Sequence, residues 1–178
     1  MQFLSDRKDA DNDIIDPGSI FRLLTSDQSG SNASGAQTLL VGASTINLLA
    51  RTYLFELFAR ITRAAGTTSH TTSLQFGGTA VVSTIDYIAS VSNPTGNVLG
   101  AASEIVGTAT SALAVTAANI VATEDIRLWA RGILRITTAG TFIPQFNYSA
   151  APGGAPTIKR GAFITMRPQG ANTVTAVN

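Results

Sequence analysis

The chain has 178 residues, no cysteine and a formal net charge of +1, which excludes thiolate chemistry, disulfide frameworks and cysteine-based metal sites and gives no polybasic footprint for nucleic acid. Only 13% of residues are charged while 44% are hydrophobic, against about 25% charged in an average soluble domain. That length suits one domain with an added arm, and a surface so poor in charge suits packing against other subunits.

The opening MQFLSDRKDADND runs straight into charge, without the basic start and apolar middle of a signal peptide. No stretch approaches the roughly 18–20 apolar residues of a membrane span. Synthesis in a cytoplasm and no membrane partner are therefore expected. Residues 1–38 read as an extended N-terminal arm, polar and rich in turn residues. Within it Ile20, Phe21, Leu23 and Leu24 have too little apolar company to form a core of their own, so they bury against the body or against another chain. Asp9, Asp11, Asp13 and Asp16 alternate as in a cation loop, but the central glycine and closing glutamate of a calcium loop are missing, and the segment reads as solvated acid.

Residues 39–178 read as the body. From Thr52 to Ala64 the chain alternates at the period of a strand: Tyr53, Phe55, Leu57, Ala59 and Ile61 share one face, and Leu54, Glu56, Phe58, Arg60 and Thr62 share the other. A turn at Gly66–Ser69 leads to a strand-like HTTSLQFGG, and the Gly77–Gly78 pair separates it from another, TAVVSTIDYIASV. Residues 93–118 lack a clear period and read as a long loop with a weak strand near Ala112–Thr116, or with a short helix at Ala101–Val106. Asp125–Thr138 is a long strand with Ile126, Leu128, Ala130, Leu134 and Ile136 on one face and Arg127, Trp129, Arg131, Ile133 and Arg135 on the other. TFIPQFNYSA aligns Phe142, Phe146 and Tyr148, with Pro144 suggesting an edge or a bulge. After the APGGAP turn, IKRGAFITMRP supplies the last strand. Six or seven strands joined by turns predict an all-β, antiparallel β-sandwich, with a jelly-roll-like arrangement favoured.

Reactive groups are scarce. His70 is the only histidine and, among hydroxyl residues, reads as a structural hydrogen-bonding side chain rather than a base or ligand. Outside the arm the acids are Glu56, Asp86, Glu104, Glu124 and Asp125. Pairing Glu56, Glu124 and Asp125 with Arg127, Arg131 or Arg135, within the sheet or across a subunit boundary, explains them better than a two-carboxylate hydrolase does. The glycine pairs fit no nucleotide-binding spacing. No catalytic residue, metal or cofactor is assigned, and an enzyme is not expected. The Arg-Trp-Arg strand face reads as a covered or subunit-contacting surface rather than a nucleic-acid clamp, and Phe58, Arg127, Trp129 and Arg131 are the expected subunit interface.

The succession YLFELFARITRAAGTTSHTTSLQFGGTA followed by RLWARGILRITTAGTFIPQFNYSAAPGGAPTIKRGAFITMRPQG resembles a family of small tailed-bacteriophage virion proteins with jelly-roll domains. Such domains are similar to trimeric tumour-necrosis-factor-like or head-decoration sandwiches. The likeness covers roughly residues 50–170 and rests on strands and turns, so it speaks to fold more than to task. It implies a capsid decoration, or cement, protein: a homo-oligomer, with a trimer favoured, on the virion's capsid surface and bound to the major capsid protein; for that binding the apolar arm residues Ile14, Ile15, Ile20, Phe21, Leu23 and Leu24, outside the likeness, are the expected docking contacts. The alternative is a tail or fibre component that recognises a host surface glycan.

Overall fold

A computed structural model describes residues 18–40, 45–92 and 103–171 of the chain. The strands in order are β1 (Ile20–Leu23), β2 (Gln28–Ser29), β3 (Gly35–Thr38), β4 (Ile46–Leu48), β5 (Arg51–Arg63), β6 (Thr72–Gly77), β7 (Val81–Ser92), β8 (Ser103–Gly107), β9 (Leu113–Ala114), β10 (Glu124–Thr138), β11 (Gly140–Tyr148), β12 (Thr157–Ile158) and β13 (Phe163–Ala171). They form two antiparallel sheets. The larger runs β1-β13-β5-β10-β7-β8, with β12 and β2 continuing it beside β5. The smaller runs β3-β11-β6-β9, with β4 beside β11. The chain is an all-β antiparallel sandwich.

The inner face of each sheet carries the residues that alternation selects. Tyr53, Phe55, Leu57, Ala59 and Ile61 of β5 and Ile126, Leu128, Ala130, Leu134 and Ile136 of β10 are all buried, opposite Leu74, Phe76, Phe142, Phe146 and Tyr148 of the smaller sheet. Rings knit the two layers together. Phe76 stacks on Phe142 at 5.1 Å and meets Phe55 and Tyr87 of the larger sheet edge-on at 5.7 and 5.4 Å. Each such buried ring contributes about 1.5–3 kcal/mol through apolar area removed from water.

Several expectations change. Residues 20–38 are not an arm: β1 pairs with β13, β2 with β12 and β3 with β11, so they are structural strands of the sandwich. Leu24 is buried in the core, its backbone exchanging hydrogen bonds with Ala162 and Gly161, and Ile20 packs half-buried against that core. Their backbone groups gain partners along the edge of β13, which a free arm would leave to water. The expected 93–118 loop contains a strand, β8, paired along β7 from Tyr87–Gly107 to Val91–Ser103. The helical alternative over 101–106 is thereby excluded for its described part, because β-sheet partners satisfy the same backbone groups. The weak strand near 112–116 corresponds to β9.

Pro144 is neither at a sheet edge nor in a bulge. It lies in β11, between β6 on one side and β3 and β4 on the other. Its carbonyl accepts from Leu39 N at 3.0 Å, so its nitrogen faces the same way, to the break between β3 and β4. No ladder bond is required of it there.

Candidate functional site

The two outer faces differ in chemistry. On the smaller sheet Gln75 donates to Gln145 at 3.1 Å and Asn147 donates to Gln75 at 3.3 Å, a polar face of the kind that water covers. The larger sheet presents rings instead. Register brings Phe163 opposite Phe58, and Phe58 opposite Trp129, while Phe21 and Leu23 of β1 pair opposite Thr165 and Phe163. Ring centroids lie 6.0 Å apart for Phe21–Phe163, 6.0 Å for Phe58–Phe163 and 5.6 Å for Phe58–Trp129. A continuous aromatic row thus crosses four strands on the outside of the sandwich. Phe21 is 48% exposed and Trp129 40%.

Beside this row is an aliphatic depression of about 640 Å³, walled by Leu54, Ile88, Val106 and Ile133, with Asp86 and Arg131 at its margin. Its floor is strand backbone where Phe55, Gly132 and Tyr87 stand in one register row. Only hydrogen fits at Gly132, because a Cβ there would come within 2.1 Å of the Asp86 carbonyl. Monomeric proteins seldom leave apolar patches of this continuity in water.

Charges frame the face. Asp125 accepts two hydrogen bonds from Arg60, both at 2.8 Å, and lies 3.6 Å from Arg127. The Arg60 guanidinium holds the Asp125 carboxyl below its ordinary range. At the end of β1 a polar cleft joins Thr25, Ser26 and Asp27 to Arg60, Lys159 and Arg160. There Lys159 and the Arg160 amide hydrogen-bond to Asp27 and lower its carboxyl in turn.

A third cluster is fully internal. Arg63 Nη2 lies 2.9 Å from Glu124 Oε2, both side chains being at most 1% exposed. The same carboxylate lies 3.1 Å from His70 Nε2 and accepts from the Asn119 amide. His70 Nδ1 faces the Thr68 carbonyl at 2.7 Å. Arg63 also donates to the carbonyls of Gly66 at 2.8 Å and Val121 at 2.6 Å, tying two loops to the end of β5. Tyr148 packs edge-on against His70, with its hydroxyl buried and without a hydrogen-bond partner among the described residues. Burial first, and the Glu124 charge second, push that hydroxyl's pKa up.

The expected interface residues Phe58, Arg127, Trp129 and Arg131 stand together on the outer face of the larger sheet. Of the expected docking residues, Phe21 and Leu23 join that face, Ile20 and Leu24 turn inward, and Ile14 and Ile15 lie outside the described residues. The pairing expected for Glu124 is corrected. Its partner is Arg63 on β5, because Glu124 is an inward-facing residue directly opposite Arg63 in the β5–β10 register. Asp125 does reach Arg127, but its main partner is Arg60. Arg131 stands opposite Glu56 in the β5–β10 register, in line with the pairing expected of Glu56. The sequence reading missed the aliphatic depression, since its walls come from β5, β7, β8 and β10 and no local pattern joins them. His70 is hydrogen-bonded and buried, as a structural histidine should be.

Neither protein-family models nor characterised proteins match this sequence.

Proposed function

We propose that the chain is a self-associating structural subunit of a bacteriophage virion, a capsid decoration protein whose copies pack through the outer face of the larger sheet. The aromatic row Phe21–Phe163–Phe58–Trp129 carries this reading, because a free monomer has no use for four adjoining rings on a solvent-facing sheet. Aromatic residues flanked by arginine are the composition of association hot spots, and here Arg127 and Arg131 flank Trp129 on the same strand face.

The strand order supports a jelly-roll reading. β1 pairs with β13, β3 and β4 with β11, β5 with β10, and β6 with β9. These pairs nest like one long hairpin rolled up, with the β7–β8 hairpin added at the side of β10. A decoration protein works by multivalency: several weak contacts from one oligomer engage neighbouring shell subunits together, and effective concentration turns them into lasting attachment. Of the expected docking residues, Phe21 and Leu23 are the described ones that the fold leaves exposed.

Solution mass tests the association. The expected value is about three times the 18.4 kDa of the chain, and Trp129→Glu should lower it to the single-chain mass with the fold retained. A wild-type monomer at concentrations of roughly ten times a micromolar Kd would overturn the proposal. Co-sedimentation with intact phage heads tests the shell: failure to bind any head while the oligomer persists would remove the decoration role alone. Binding of the isolated protein to a glycan array, centred on Trp129, would favour the fibre reading instead.

A further inference from the structure

We propose that the aliphatic hollow of one copy receives Phe21 and Leu23 of a neighbouring copy. This rests on the self-association proposed above and assigns the contact that makes it. Leu54, Ile88, Val106 and Ile133 wall the hollow, and all four are exposed. In the sheet order β1-β13-β5-β10-β7-β8 its middle falls between β10 and β7. Phe21 and Leu23 stand on β1, at the far end of that order, on the same outer face as the aromatic row. Three and a half strand spacings separate the two patches, about 17 Å at the usual spacing. A chain's own β1 therefore cannot close its own hollow, whereas that of a second copy can.

Charge decides which edge meets which. Residues 81–123, which include β7, β8 and β9, hold Asp86 and Glu104 and no lysine or arginine. Asp86 stands opposite Ile133, and Glu104 stands opposite Ser90, two residues from Val106 on the same side of β8. Both acids are exposed on the outer face and neither makes an ion pair among the described residues. The other edge is basic. Arg22 lies between Phe21 and Leu23, and Lys159, Arg160 and Arg167 lie in or beside β12 and β13. The acid on that side, Asp27, is already held by Lys159 and the Arg160 amide. Arg22, Arg160 and Arg167 make no ion pair among the described residues.

Like edges of two copies repel, and unlike edges attract. Arg131, at the margin of the hollow, stands opposite Glu56 and so leaves that balance in place. The other exposed large apolar side chains outside the hollow fit the contact less well: Leu49 and Ile120 lie outside the strands, Val81 belongs to the span without cations, and Trp129 stands mid-sheet on β10. Phe21 and Leu23 point the same way from an edge strand with a cation between them, so apolar burial and charge pairing act in one contact. With three copies, as expected above, that contact passes from each copy to the next around a closed ring. Phe21 and Leu23 then serve subunit pairing rather than the shell.

The chain has no cysteine, so single-cysteine variants report the contact without background. Leu23→Cys and Ile88→Cys, both at exposed positions, are mixed in equal amounts, left to exchange subunits and oxidised mildly. The unlike pair should close a disulfide between chains at least about tenfold faster than either variant alone. Leu23→Cys/Ile88→Cys in one chain should give covalent multimers and no internal disulfide. Four strand spacings lie between the two positions, about 19 Å, against the roughly 4.4–6.8 Å that the bond needs. Like variants that link as fast as the unlike pair, or an internal disulfide, would overturn the contact. Charge reversal supplies a second measurement by solution mass. Asp86→Lys/Glu104→Lys and Arg22→Glu/Arg160→Glu should each weaken association at least about tenfold, and all four changes in one chain should recover most of the loss. Association that neither reversal alters would also overturn it. A wild type at the single-chain mass would remove self-association and this contact together. A multimeric wild type whose unlike cysteines stay unlinked would remove this contact alone.

Discussion

Replacing Arg63 with methionine strands a carboxylate that the fold has taken out of water. The Glu124 side chain is 1% exposed and that of Arg63 is fully buried. Once the guanidinium is gone, His70 and Asn119 still touch the carboxylate, but the Gly66 and Val121 carbonyls lose their donor. Breaking a buried pair on one side costs about 3–5 kcal/mol, mostly the penalty of the charge left behind. For a domain of this size that lowers Tm by about 6–20 °C. The double variant Arg63→Met/Glu124→Leu removes both charges and should be clearly more stable than the sum of the two single losses predicts. Urea denaturation at one fixed protein concentration measures all four proteins, which keeps any contribution from association constant. Arg60→Met supplies the contrast: the Arg60 side chain is 43% exposed in its pair with Asp125, so water screens the pair and its loss should cost far less than that of Arg63. Equal, small losses at Arg63 and Arg60 would refute the claim that burial decides the weight of these pairs.

Tyr148→Phe removes a buried hydroxyl with no partner among the described residues and should leave stability unchanged or raise it by about 1 kcal/mol in denaturant titrations. A loss larger than that would mean the hydroxyl is bonded. Burial raises the pKa of Tyr148 and of Tyr87, so the unfolded chain ionises at lower pH than the folded one. Stability is then full below about pH 10 and declines above it, with tyrosinate absorbance rising together with unfolding rather than before it. The carboxyls of Asp125 and Asp27 are lowered by Arg60 and by Lys159 respectively. Their contribution is present above about pH 4 and is lost as pH falls below it through the folded values; acid titration of the Asp125→Asn variant should show a smaller loss. Gly66 has φ +90, and a Cβ there would lie 2.3 Å from the Pro152 carbonyl. Gly66→Ala should therefore cost about 1–3 kcal/mol by thermal melts, and a neutral outcome would show that the two loops can part freely.

Much of the fold was legible before any coordinates because strand alternation is a local signal. Tyr53 through Ile61 and Ile126 through Ile136 sort onto a buried face wherever the sheet lies, since successive side chains of a strand point to opposite sides. The same local logic placed Phe58, Arg127, Trp129 and Arg131 on faces away from the core. It failed where a short element draws its stability from a distant partner: β1, β2 and β8 are too brief and irregular to announce themselves, and exist because β13, β12 and β7 offer them hydrogen-bond partners.

By itself, then, the sequence determined the all-β class, the inward and outward sides of its long strands, and the shortage of charge on its surface. Tertiary structure alone decided which outward sides adjoin. Register put Glu124 against Arg63, 61 positions away, rather than the nearby Arg127, lined four rings across β1, β13, β5 and β10, and gathered Leu54, Ile88, Val106 and Ile133 around one hollow. The physical reason is that alternation fixes only a side chain's direction, whereas its neighbours across a sheet depend on strand order and on a pairing in which a slip of one residue reverses every face.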